Sequence, residues 1–200
     1  GLSPVISREN LNKLTDRVSN LSVGDILVLS GSIPSSISDT IYKEMAENAG
    51  EGVKVVLDTR GNLIDRNLNR NFLIKPNIKE LRQMFGEKLE KEEEILRKSE
   101  YFFEKGIENV IISRGGEGAL LVNKDGMWEA SVPKGKLVNS IGAGDSLIGG
   151  FLSGLERGYT IQDSFRLGIA AGSATAYSPF LGEKELVERL YNEVTVVKKL

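Results

Sequence analysis

The sequence predicts an α/β domain three layers deep, with helices on both faces of a mainly parallel sheet. Three observations lead there. Short apolar runs at residues 26–29, 53–57 and 110–112 are bounded by glycines and polar residues, the pattern of strands buried on both faces. Segments of helical period stand between them, and strands alternating with helices call for right-handed crossovers that lay the helices on the sheet. Glycine is abundant, 22 of 200 residues, and Gly31, Gly115, Gly116 and Gly118 stand just behind predicted strands.

Taken in order, Leu11, Leu14, Val18 and Leu21 recur at helical spacing behind Ser7, a candidate N-cap, and predict an amphipathic opening helix. The run 26–29 reads as a buried parallel strand. Ser38 or Asp39 can cap a helix carrying Ile41, Met45 and Ala49, and 53–57 returns as a strand, completing a β-α-β unit. A strand at 72–74, a helix over 77–85, a charged helix over 92–105 and a strand over 109–113 continue the alternation. Residues 118–122 and 127–131 flank Asp125-Gly126, a hairpin turn signal. Helices dominate from Gly144 to the end, with breaks at Gly158 and Pro179. No linker or repeat interrupts the 200 residues, which read as one domain. The mixed charges of 87–100 read as a solvated helix face.

Composition excludes several chemistries. With no Cys and no His, the chain has no disulfide, thiolate nucleophile, Cys-zinc site or imidazole base, so acid-base work falls to carboxylates, Lys or Tyr. A net charge of −2 argues against a nucleic-acid surface. No run approaches the roughly 20 apolar residues of a membrane span, and the opening Gly-Leu-Ser-Pro is not a signal sequence, which together suggest a cytoplasmic protein.

Four segments at predicted strand or helix ends can carry chemistry. In Val138-Asn139-Ser140-Ile141-Gly142-Ala143-Gly144-Asp145-Ser146, small residues lead into a helix. Its unpaired N–H groups and positive dipole end can cradle phosphate oxygens without a basic side chain. Asp145, in the first turn, could take a proton from a substrate hydroxyl while the amides of Gly142, Ala143 and Gly144 stabilise a transferring phosphoryl group; its simpler role is that of a helix cap. Ser113-Arg114-Gly115-Gly116-Glu117-Gly118 follows a strand where open α/β sheets bind ligands, or is an ordinary turn. In Lys75-Pro76-Asn77-Ile78-Lys79-Glu80-Leu81, Asn77 and Glu80 stand three apart. They can hold a hydrated Mg²⁺, form a capping box, or do both. Ser30-Gly31-Ser32-Ile33-Pro34 can hold a phosphate or form a turn. Lys75 and Arg114 read as solvated charges or as phosphate-steering groups, and Trp128 as packed on the hairpin. The carboxyl edge of one parallel sheet would collect all four segments.

In this order the four segments resemble the phosphofructokinase B-type sugar kinases of the ribokinase-like superfamily, and the resemblance runs along essentially the whole chain. It implies that Asp145 is the catalytic base, that Gly142, Ala143 and Gly144 form the anion hole, and that Ser113, Gly115, Gly116 and Gly118 lie along ATP, with Lys75 among the nucleotide contacts. It implies Mg²⁺ at Asn77 and Glu80, the substrate phosphate at Ser32, and an adenine pocket along 171–178 that includes Gly172. It also allows a monovalent cation near Asn139, Gly172 and Ser173. Ser-Gly-Ser-Ile-Pro, Lys-Pro-Asn-x-x-Glu-Leu and Ser146 behind the aspartate are more similar to the hexose-phosphate kinases than to ribokinase or adenosine kinase. Fructose 1-phosphate is the first expected acceptor, ahead of tagatose 6-phosphate and fructose 6-phosphate. A nucleoside kinase, or a nucleotide- and anion-binding module without catalysis, are the alternatives. The resemblance further implies that N-terminal strands, a sugar-binding aspartate and a small β-sheet lid precede Gly1 in a longer parent. This chain is then the C-terminal nucleotide-binding portion, inactive alone, with an open sheet edge prone to self-association and a homodimer as an expected form of the parent.

Overall fold

The computed structural model describes residues 5–200. The chain divides into two compact units, residues 1–112 with 122–124, and residues 113–121 with 125–200. The fold class is α/β, as the sequence predicts.

In the first unit, α1 (Arg8–Ser19) starts where Ser7 accepts the N–H of Asn10, so the predicted cap holds. The predicted stripe is less buried than its period suggests. Val18 is buried but Leu14 stays 46% exposed. Strands β1 (Ile26–Ser30), β2 (Lys54–Asp58), β3 (Leu73–Ile74) and β4 (Asn109–Ser113) follow one another across the sheet, and the pairs β1–β2, β2–β3 and β3–β4 are all parallel. The unit's core lies on them: Val55, Val56, Leu57, Leu73, Ile74, Val110, Ile111 and Ile112 are all buried. Burying each such side chain is worth about 1.5–3 kcal/mol. β1 departs from the expected buried strand. Among the described residues it pairs with β2 alone, and Val28 remains 44% exposed.

The crossovers are helical. α2 (Ile41–Asn48) links β1 to β2, and its cap position is Thr40 rather than Ser38 or Asp39. A short helix the periodicity does not announce, α3 (Asn62–Arg66), lies between β2 and β3. α4 (Ile78–Phe85) and α5 (Glu92–Glu104) then lead to β4. The charged sequence of α5 still carries Ile95, Ser99 and Phe102 on one buried stripe. Phe85, Tyr101 and Phe102 pack edge to face, with ring centroids 5.6–5.9 Å apart. Tyr101 donates to Asp65, and that hydrogen bond pushes its hydroxyl pKa up to about 12.

β5 (Ala119–Asn123) is divided between the units. The turn before β6 (Gly126–Ala130) falls at Lys124 and Asp125, one residue earlier than the Asp-Gly signal suggests. In the second unit β6 pairs antiparallel with β7 (Val196–Lys198), a strand where the sequence suggests helix. Lys198 reaches over the buried Trp128 ring, 5.5 Å from its centroid, so Trp128 is packed as expected. Helices α6 (Ala143–Glu156), α7 (Ile161–Ala176) and α8 (Lys184–Tyr191) complete this unit. The predicted breaks at Gly158 and Pro179 separate them.

α6 and α7 meet through glycines. A Cβ added at Gly150 would lie 2.8 Å from the Leu167 carbonyl oxygen, at Gly154 2.8 Å from Ser164 Cα, at Gly168 2.7 Å from the Leu147 carbonyl oxygen, and at Gly172 2.9 Å from that of Ala143. The two backbones touch directly, which removes the freedom of one helix to slide on the other. No described helix is long and apolar enough to cross a membrane.

Candidate active site

The loop into α6 is built on the end of α7. The N–H groups of Val138 and Asn139 both donate to the Ala176 carbonyl, at 2.8 and 3.1 Å, and Asn139 Oδ1 accepts the N–H of Ile141 at 3.0 Å. The chain then enters the helix through Gly142, whose φ of +78° lies in the left-handed region that glycine occupies without side-chain penalty. No side chain caps the helix. Ala143 N–H turns back to Ser140 O at 3.3 Å and Ser146 N–H bonds Gly142 O at 2.8 Å. The N–H groups of Gly142, Gly144 and Asp145 meet no acceptor among the described residues, so of the three amides expected in the anion hole only that of Ala143 is already engaged. Three free donors and the positive end of a 14-residue helix therefore stand together at this turn. The Asp145 carboxylate is exposed beside them, with no ion pair or hydrogen bond among the described residues.

Two further residues hold this turn, both within the segment 171–178, of which the sequence reading singles out Gly172. Gly172 is buried directly beneath the Ala143 carbonyl. Thr175, 2% exposed, shares a 2.8 Å hydrogen bond with the Ser146 hydroxyl and accepts the N–H of Gly182 at 3.0 Å. Thr175→Val keeps the shape but strands both partners, which costs about 1–3 kcal/mol. Thermal unfolding should show that loss, and Thr175→Ser should restore most of it.

The second Gly-rich segment lies in the same unit. Ser113 ends β4, and Gly115–Glu117 forms a single 3₁₀ turn closed by Arg114 N–H to Gly118 O at 2.8 Å. Gly118 has φ +88°, and a Cβ there would sit 2.1 Å from the Ala130 carbonyl oxygen, so no other residue fits. Gly116 is different. It meets nothing within 4 Å and has no left-handed φ, so neither backbone nor packing requires a glycine there, and the open side of the turn is free for a close-lying ligand. Arg114 is not the solvated charge that its position suggests: its side chain is 15% exposed and pairs with Glu129. That guanidinium, with Lys199 behind it, holds the Glu129 carboxyl below the usual carboxylate range. Burial raises the Tyr177 hydroxyl pKa, and this hydroxyl donates to Pro133 O at 2.5 Å.

The other predicted residues belong to the first unit, at the carboxyl ends of its strands. Gly31 N–H donates to the Asp58 carbonyl, and Thr59 Oγ1 donates back to the Gly31 carbonyl, both at 3.0 Å. Lys75, also read as solvated, is 10% exposed and pairs with Asp58 at 3.2 Å. Asp58 thus joins the segment after β1 to the one after β3, a role no local motif announces. Ser32 is exposed. Asn77 and Glu80 form the capping box: Asn77 Oδ1 accepts the N–H of Lys79 and Glu80, and Glu80 Oε2 accepts the N–H of Asn77 at 2.9 Å. Among the described residues no three acidic side chains gather as a ready-made metal cage.

Residues 3–183 match the pfkB family carbohydrate kinases. The chain is 43% identical over 200 residues to the 1-phosphofructokinase of Bacillus subtilis, an alignment that covers 99% of this chain and 66% of the relative. A Staphylococcus aureus crystal structure, named only provisionally as a phosphofructokinase, superposes with a TM-score of 0.92 at 32% identity over 97% of this chain and 64% of its own. Escherichia coli phosphofructokinase-2 in complex with potassium superposes with a TM-score of 0.86 at 25% identity, over 94% and 63%. The chain thus spans just under two thirds of each of these proteins.

Proposed function

Because the chain belongs to the pfkB family of carbohydrate kinases, we propose that it carries the nucleotide-binding residues and the general base of an ATP-dependent phosphosugar kinase. Fructose 1-phosphate is the proposed acceptor and fructose 1,6-bisphosphate the product. The observation that carries the reading is the open entry into α6, where three amides without acceptors among the described residues stand beside an unpaired carboxylate. Asp145 accepts the proton of the acceptor hydroxyl as its oxygen attacks the γ-phosphorus of ATP. The bond between that phosphorus and the bridging oxygen breaks, and ADP leaves with the oxygen. The amides of Gly142 and Gly144, joined by that of Asp145, bear on the equatorial oxygens, where charge is spread in the transition state.

The remaining assignments follow from the same reading. The open face at Gly115 and Gly116 takes the nucleotide, and exposed Ile141 and Leu181 beside Gly142 offer apolar surface to the base. Mg²⁺ is commonly bound by one or two carboxylates plus substrate phosphates. Asn77 and Glu80 fit that habit, since the capping box fixes Glu80 through Oε2 and leaves Oε1 for the ion or its water; the ion would neutralise phosphate charge. Ser32 is proposed at the acceptor's phosphate. A monovalent cation is proposed near Asn139 and Ser173, a reading supported by the Escherichia coli relative in complex with potassium. Substrates of this kind make the proposed reaction cytoplasmic.

Titration calorimetry of the chain with MgATP tests the cradle. Gly144→Leu places a side chain over the free amides and should weaken MgATP at least about tenfold, the scale of losing a charge-assisted hydrogen bond. Unchanged binding would remove the α6 turn from the nucleotide site. Product formation from fructose 1-phosphate, fructose 6-phosphate, tagatose 6-phosphate and a nucleoside, in a protein of the relatives' full length carrying this sequence, decides the acceptor.

A further inference from the structure

A chain of charged contacts in the second unit runs from the C-terminal residues to the Gly-rich turn. Lys199, just past β7, pairs with Glu129 Oε2 at 3.2 Å. The other oxygen of Glu129 takes the guanidinium of Arg114, and the same Arg114 Nη2 donates to the carbonyl of Glu117 at 3.1 Å, at the far end of the turn. Arg114 therefore starts the turn with its backbone and closes it with its side chain. Arg114 Nε is buried without a hydrogen-bond partner among the described residues. A guanidinium with an unpartnered buried N–H stays in place only through its remaining contacts. Among the described residues, the anionic contact of the guanidinium is Glu129. Without it, water draws the guanidinium outward and the Glu117 carbonyl loses its donor.

Resting on the nucleotide reading of this turn, we propose that Glu129 is a positioning residue for ATP. Acting through Arg114, it holds Gly115, Gly116 and Glu117 in their binding conformation, and Lys199 ties the clamp to the C-terminal strand. Glu129 itself touches no substrate. Its position on β6 gives it a rigid base, which a loop residue would lack. The turn it acts on is otherwise closed by only three backbone hydrogen bonds, two of them longer than 3.0 Å.

Amide hydrogen exchange and MgATP calorimetry on the whole chain, unaltered and as Glu129→Gln and Glu129→Asp, test this. In Glu129→Gln, exchange should quicken at the amides of Arg114, Glu117 and Gly118 while α6 stays as protected as before, and MgATP should bind about tenfold more weakly, the loss of one charge-assisted contact. Glu129→Asp keeps the charge and should recover most of both effects. Exchange that is unchanged, or quickened evenly across the second unit, overturns the clamp. So does a loosened turn with unchanged MgATP affinity. If the unaltered chain binds no MgATP, the nucleotide reading falls and the exchange result still states whether Glu129 holds the turn.

Discussion

Asp145→Asn should lower phosphoryl transfer to fructose 1-phosphate by about 10²–10⁴-fold, the range of a positioned general base, while MgATP affinity changes by no more than about threefold. The two halves of this expectation come from different atoms. In the proposed site, affinity for the nucleotide rests on the backbone amides of Gly142, Gly144 and Asp145, which the substitution leaves in place, and on the open turn at Gly116. In that reading rate rests on the carboxylate, which makes no hydrogen bond or ion pair among the described residues, so its share in holding the fold is confined to its charge in the first turn of α6, worth about 0.3–1 kcal/mol. An asparagine keeps the shape and cannot accept the proton. Rates measured in a protein of the relatives' full length carrying this sequence, set beside calorimetry of this chain, separate the two terms. A fall in kcat with unchanged MgATP binding is the signature of a base. Loss of both together would mean that the Asp145 charge in the first turn of α6 shapes the turn, and an unchanged rate would leave a binding module.

What the sequence reveals and what it hides divide along the range of the interactions. Asn77 and Glu80 are legible because a capping box is written within four residues, and the structure contains it atom for atom. The small residues before Asp145 are legible for the same reason. Lys75 and Arg114 are not: their partners Asp58 and Glu129 stand 17 and 15 residues away, and only the adjacency of strands brings them together. β7 is missed because its pairing with β6 spans some 70 residues, from Trp128 to Lys198, while Val196 and Val197 beside lysines carry too short a pattern to outweigh the helical period before them. α3 is missed because five residues hold too little period to be seen. The glycines of α6 and α7 are conspicuous in the sequence, yet which of them faces a ligand and which a neighbouring helix depends on a helix-helix contact that no local rule supplies.

Gly172 is where that distinction has the largest consequence. Its Cβ position lies 2.9 Å from the Ala143 carbonyl oxygen and 3.3 Å from Leu147 Cβ, both on α6, and Ala143 is the first residue of the helix that carries the cradle. Gly154, on α6 itself, makes an equally tight contact at the other end of the pair, 2.8 Å from Ser164 Cα. A valine at either position forces the backbones apart at a cost of about 1–3 kcal/mol. Helix propensity offsets at most a few tenths of this, because valine gains little over glycine. Both variants should therefore melt earlier by similar amounts. Only Gly172→Val displaces the turn that holds Gly144 and Asp145, so it should weaken MgATP at least about tenfold, while Gly154→Val stays within about twofold. The tenfold figure follows from geometry, since donors aimed at one oxygen lose much of their strength with a few tenths of an ångström and the accompanying change of angle. Equal affinities in the two variants, at equal stability, would reduce Gly172 to packing alone and detach the α7 surface from nucleotide binding. A selective loss would mean that the glycine contact between α6 and α7 sets where the phosphates are held.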